Sequence, residues 1–165
     1  MSIFPTKIIL ATDGSKEADL AAQTAIELAS KTASELHVVH VRVPHSDPGY
    51  YEGIDVWKYL QEEQEKLEKR AQSLLDAQVE KIEAAGGAVA QAHLRIGRPD
   101  AEIATLAEEL GAGLIVVGSR GLSGLRRALM GSVSDSVVRH AHCPVLVVRK
   151  EESEEVQVEE AGPEE

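Results

Sequence analysis

Short runs of apolar residues alternate along the chain with longer segments in which apolar positions recur every three or four residues. Lys7 to Ala11, Leu36 to Val43, Ala88 to Ile96, Leu114 to Gly118 and Val145 to Arg149 are the short runs. All five read as strands, and the continuous apolar run Lys7 to Ala11 is the mark of one buried on both faces. Between the first two, Ala18, Ala21, Ala22, Ala25, Ile26 and Ala29 form a narrow stripe on a helix that ends near Lys31. Ser15 is placed to cap that helix, with Glu17 and Asp19 in its first turn. Trp57, Leu60, Gln64, Leu67, Ala71, Leu74, Leu75, Gln78 and Ile82 predict a second helix from Asp55 to about Ala85, stopped by Gly86-Gly87. Pro99 opens a third over 99–110 and Gly111 closes it, and a fourth is expected over 131–142.

Strands alternating with helices give an α/β fold: an open five-stranded parallel sheet with right-handed crossovers and helices on both faces. At 165 residues the chain is long enough for one core. It reads as one domain over 1–150, followed by an acidic tail over 151–165 that holds eight glutamates and too little apolar surface to fold. The one cysteine, Cys143, rules out a disulfide within the chain. With no apolar run near 20 residues and no signal-peptide pattern, a cytoplasmic protein that does not cross a membrane is expected.

Net charge is −11, which argues against nucleic acid as a partner. Residues 114–149 run the other way, with five arginines against Asp135 alone. In an open parallel sheet, ligands enter beyond the carboxyl ends of the strands, where strand order reverses. Two strand-end segments are polar and rich in glycine there: Ala11-Thr12-Asp13-Gly14-Ser15, and Val117-Gly118-Ser119-Arg120-Gly121-Leu122-Ser123-Gly124. Gly131-Ser132-Val133-Ser134 then opens the last helix. Glycines admit an oxyanion to backbone N–H groups, and a helix start adds unpaired donors. The hydroxyls of Ser119, Ser132 and Ser134 add more, so a di- or triphosphate suits the set. A side chain at Gly131 is expected to occupy the phosphate's space. No Walker A loop, Rossmann fingerprint or nucleophile elbow is present.

The spacing Gly118-x2-Gly121-x9-Gly131-Ser132, the run Pro144-Val145-Leu146-Val147-Val148, and the opening Lys7-Ile8-Ile9-Leu10-Ala11-Thr12-Asp13-Gly14-Ser15 together resemble the universal stress protein family, in its ATP-binding branch. The likeness covers residues 5–149. It implies strand order 3-2-1-4-5 and ATP between strands 1 and 4. Asp13 would then lie near ribose and phosphates, and Val41 against adenine. Gly118, Ser119 and Gly121 would approach the ribose and phosphate side, with Gly131, Ser132 and Val133 around the outer phosphates. Ala11, Thr12, Val117, Arg120, Ser123 and Ser134 complete the expected set. A magnesium or manganese ion would be held by phosphate oxygens and water near Asp13, since one carboxylate is too few for a protein-built cage. The resemblance also implies a homodimer, and Val145–Arg149, an apolar edge strand, is its natural seam.

A nucleotide-binding regulator is the reading these features favour. The alternatives are a slow ATPase or phosphotransferase using the same pocket, and a dimeric interaction protein that binds no nucleotide. No Glu, Gln or His lies in 118–134 to orient a water, which leaves Asp13 as the candidate base. His140-Ala141-His142-Cys143 has the spacing of metal ligands, but it reads as a helix end with histidines near the negative dipole end. His37 and His40 read as packed or edge positions. Tyr50, Tyr51, Trp57 and Tyr59 read as a cluster pinning a loop to the body.

Overall fold

A computed structural model describes residues 2–44, 54–120 and 131–150. The chain runs β1 (Lys7–Ala11), α1 (Lys16–Thr32), β2 (Glu35–Arg42), α2 (Ile54–Ala84), β3 (Val89–Ile96), α3 (Pro99–Leu110), β4 (Leu114–Gly118), α4 (Ser132–His140) and β5 (Val145–Val148). All neighbouring strands are parallel, as the alternation predicts, in the order β3-β2-β1-β4-β5 that the resemblance implies. Strand order therefore reverses between β1 and β4.

Alternation along the strands builds two cores. Ile8, Leu10, Leu36, Val38 and Val116 face α1 and α2, where they meet Ala21, Ala25, Leu75 and Ile82. Ile9, Val39, Ile115 and Val117 face Ile103, Leu106 and Ala107 of α3 and Val137 of α4. The central strand is covered on both sides, so Ile8, Ile9 and Leu10 lose all contact with solvent. Alanines let α1 approach the sheet closely.

Helix ends form where the sequence marks them. Ser15 accepts the Ala18 amide at 3.1 Å and caps α1. Pro99 starts α3, and Gly111 ends it in the left-handed region, at φ 62°. The fourth helix is shorter than expected: Ala141 is already extended, with ψ 143°. Cys143 precedes Pro144, and a residue before proline disfavours helical backbone.

The aromatic cluster corrects one expectation. Trp57 and Tyr59 are 75% and 63% exposed on α2, so they pin nothing to the body, and Tyr50 and Tyr51 lie outside the described residues. The acidic tail also lies outside them. Among the described residues no helix is long and apolar enough to cross a membrane.

Candidate functional site

A cavity of about 330 Å³ opens at the carboxyl ends of β1 and β4, where the strand order reverses. Ala11, Thr12 and Asp13 line it from β1, Val41 from β2, and Val117, Gly118 and Arg120 from β4. Gly131, Ser132, Val133 and Ser134 close it from the start of α4. Eleven of the expected positions thus meet in one hollow. Gly121 and Ser123 lie outside the described residues.

Ser119 is used differently from expectation. It is buried and absent from the cavity wall. Its amide donates to the Val148 carbonyl at 2.9 Å, and its own carbonyl accepts the Gly131 amide. The Ser134 hydroxyl donates to that same carbonyl at 3.0 Å, and lies 3.0 Å from the Gly131 carbonyl. Ser134, expected to offer its hydroxyl to a phosphate, therefore builds the junction behind it, and Ser119 joins that junction through its backbone. Gly131 is corrected in the same way. A Cβ there would stand 3.1 Å from the Ser119 carbonyl oxygen and 3.4 Å from Arg120 Cα, so it would press on protein before any ligand.

The start of α4 offers backbone donors to the cavity. Gly131 is its N-cap and supplies no side-chain cap. The amides of Ser132, Val133 and Ser134 fall in the first turn, where no intrahelical acceptor exists. With the positive end of the helix dipole, and with Arg120 on the same cavity wall, they form a patch suited to negative charge. The strand ends on the other side of the cavity are apolar, formed by Ala11, Val39, Val41 and Val117. Asp13 lies between, and its Oδ1 accepts the Ser15 amide at 2.9 Å, so the carboxylate shapes the turn as well as facing the hollow.

Sequence reasoning missed several wall residues. His40, read as packed or at an edge, lines the cavity. Its Nδ1 lies 2.8 Å from the Thr12 carbonyl oxygen, a bond that requires a proton on Nδ1. In the neutral ring Nε2 is then left as an acceptor. Pro99 and Ile103 enter from α3, and Val43 from beyond β2. Position next to Val41 at a strand end was the available signal for His40.

The other histidines have different work. His37 is buried, stacks on His93 with ring centroids 5.4 Å apart, and places Nδ1 3.1 Å from its Nε2. Burial and the neighbouring His37 hold the His93 imidazole below its ordinary pKa. His140 Nδ1 lies 2.8 Å from the Ser136 carbonyl, and His142 Nε2 lies 2.9 Å from Glu108 Oε1. Among the described residues, no three His, Cys, Asp or Glu side chains gather to hold a metal ion.

These features define an open, doubly wound α/β protein with a ligand-sized crevice at its switch point. The universal stress protein family model matches residues 5–149, and the chain belongs to that family. A Staphylococcus haemolyticus relative, named as a universal stress protein, is 38% identical over 95% of this chain and 93% of its own. The solved structure of hypothetical protein MJ0577 is similar, with 28% identity, a TM-score of 0.74, and coverage of 90% of this chain and 98% of that one. An Arabidopsis thaliana universal stress protein family member, solved with AMP bound, shares the fold at 23% identity and a TM-score of 0.61, over 89% of this chain and 93% of that one.

Proposed function

We propose that this protein binds an adenine nucleotide, ATP, in the crevice between β1 and β4, and acts as a cytoplasmic stress-response regulator. The uncapped start of α4, facing one hollow with Arg120, carries the reading. Adenine fits the apolar strand ends beside Val41, and the phosphates reach the Ser132–Ser134 amides. A cavity of about 330 Å³ falls in the range usual for small-ligand sites, roughly 300–1,000 Å³. AMP in the Arabidopsis protein agrees with the same ligand class. Magnesium or manganese would ride on phosphate oxygens near Asp13. The protein is proposed as a dimer paired along the β5 edge, with ligand occupancy altering what it contacts.

Slow hydrolysis is the second reading, favoured by one observation: His40 shares the cavity with Asp13 and keeps Nε2 as an acceptor when neutral. Calorimetric titration with ATP and magnesium tests both readings. One site per chain is expected, weakened by Arg120→Ala and with GTP bound less tightly. Absence of binding at millimolar ATP overturns the proposal. Single-turnover hydrolysis by the parent, abolished in Asp13→Asn, replaces the regulator with an enzyme.

A further inference from the structure

One face of α2 lies along the turn that joins β1 to α1. Leu74, Gln78 and Lys81 follow helical spacing and meet Gly14, Thr12 and Asp19 in turn. Gly14 has φ +78°, and a Cβ on it would stand 3.1 Å from Leu74 Cδ1. Lys81 Nζ pairs with Asp19 Oδ2 at 3.3 Å on the surface. Between them the Thr12 hydroxyl donates to Gln78 Oε1 at 2.9 Å, out of contact with water.

Gln78 is an expensive residue for that place. It is 2% exposed, between Leu75 and Ile82 of the core, and its amide nitrogen is buried without a partner. A methionine would fill the space and leave no amide stranded. What methionine lacks is the acceptor. By taking the Thr12 proton, Gln78 turns the hydroxyl's lone pair towards the Gly14 amide, which donates to it at 3.3 Å. The Thr12 amide is held by the Val39 carbonyl at 2.9 Å, and its carbonyl by His40. Thr12 is thus fixed through its amide, carbonyl and hydroxyl, and both it and Asp13 line the cavity.

We infer that Gln78 is a positioning residue for the nucleotide site. It holds the Thr12–Asp13–Gly14 turn in its ligand-ready shape and couples α2 to the occupancy of the crevice. The inference rests on the nucleotide reading given above. Coupling of this kind is reciprocal, so ligand that steadies the turn also steadies α2 around Gln78.

Gln78→Met tests it. ATP affinity is expected to fall about tenfold, the scale of one well-made hydrogen bond. The melting temperature of the unliganded protein stays level, because a stranded threonine hydroxyl replaces a stranded amide. Thr12→Val/Gln78→Met removes both side-chain polar groups and binds no more weakly than either single variant. Leu75→Ala, which only loosens the core, lowers the melting temperature and leaves affinity unchanged. In unliganded Gln78→Met, hydrogen exchange at the Gly14 and Ser15 amides quickens. Equal ATP affinity in Gln78→Met and parent overturns the inference and leaves the nucleotide reading standing. A parent that binds no ATP overturns that reading, and unchanged exchange at Gly14 overturns this one.

Discussion

The Ser134 hydroxyl donates to the Ser119 carbonyl across 3.0 Å, and so fastens the first turn of α4 to the end of β4. Ser134 is buried, and the Gly131 amide shares the same acceptor. Ser134→Ala is expected to cost about 1 kcal/mol of stability in urea unfolding, the usual net worth of such a bond. Loosening the amides of the first turn also weakens ATP binding. If stability is unchanged while affinity falls, the hydroxyl serves the ligand and not the junction.

A second tie holds α4 to α3, and it depends on pH. Asp100 is 7% exposed in the first turn of α3; its Oδ2 accepts the Ser136 hydroxyl and its Oδ1 accepts Arg98 Nε at 2.8 Å. Burial pushes this carboxyl up, but the Ser136 hydroxyl, Arg98 and the Ala101 amide outweigh it and hold its pKa below the ordinary 3.8. A group lowered on folding adds stability above its unfolded pKa, and that share is lost as pH falls through the folded value. Arg98 is largely exposed and adds little, so the Ser136 bond dominates. Asp100→Asn should therefore be less stable than the parent at pH 7 by roughly 1.5–3 kcal/mol, the scale for bonds to a charged group. The gap should narrow below about pH 4 as the parent's carboxyl protonates. Urea unfolding at pH 7 and across the acid range measures both; a gap that stays level as pH falls through the folded value assigns the loss to packing.

The central sheet was legible because Ile8-Ile9-Leu10 and Leu114 to Val117 are short, continuous apolar runs, the pattern of strands covered on both faces. Strand order followed from the family likeness, and the position of the site followed from that order. Local chemistry marked Ala11–Asp13, Gly118, Arg120 and Gly131–Ser134, since glycine and polar residues directly after a buried strand lie where a ligand enters an open parallel sheet. What stayed hidden depended on how distant elements lean together. His40 reaches the cavity because its ring turns back to the Thr12 carbonyl, and Ile103 because α3 packs over the strand end. Gln78 looks like a polar interruption of an apolar stripe until Thr12 is seen opposite it. The Ser134 hydroxyl was misjudged for a related reason: sequence shows a donor, but only packing shows which acceptor claims it.

Gly118 separates two explanations for a glycine beside a ligand site. The resemblance assigns its lack of a side chain to close approach by ribose and phosphate. The structure supplies a different reason: a Cβ on Gly118 would stand 3.0 Å from the Glu17 carbonyl carbon, carbonyl oxygen and Cβ, in the first turn of α1. Those are largely backbone atoms of a capped helix start, which have little freedom to yield. Gly118→Ala should therefore destabilise the unliganded protein by about 1–3 kcal/mol, the usual cost of overpacking. Moving α1 away from β4 also spreads the two sides of the crevice, so ATP affinity falls with stability. Urea unfolding without nucleotide is the deciding measurement. An unliganded Gly118→Ala protein as stable as the parent, with affinity lost, returns the glycine to the ligand.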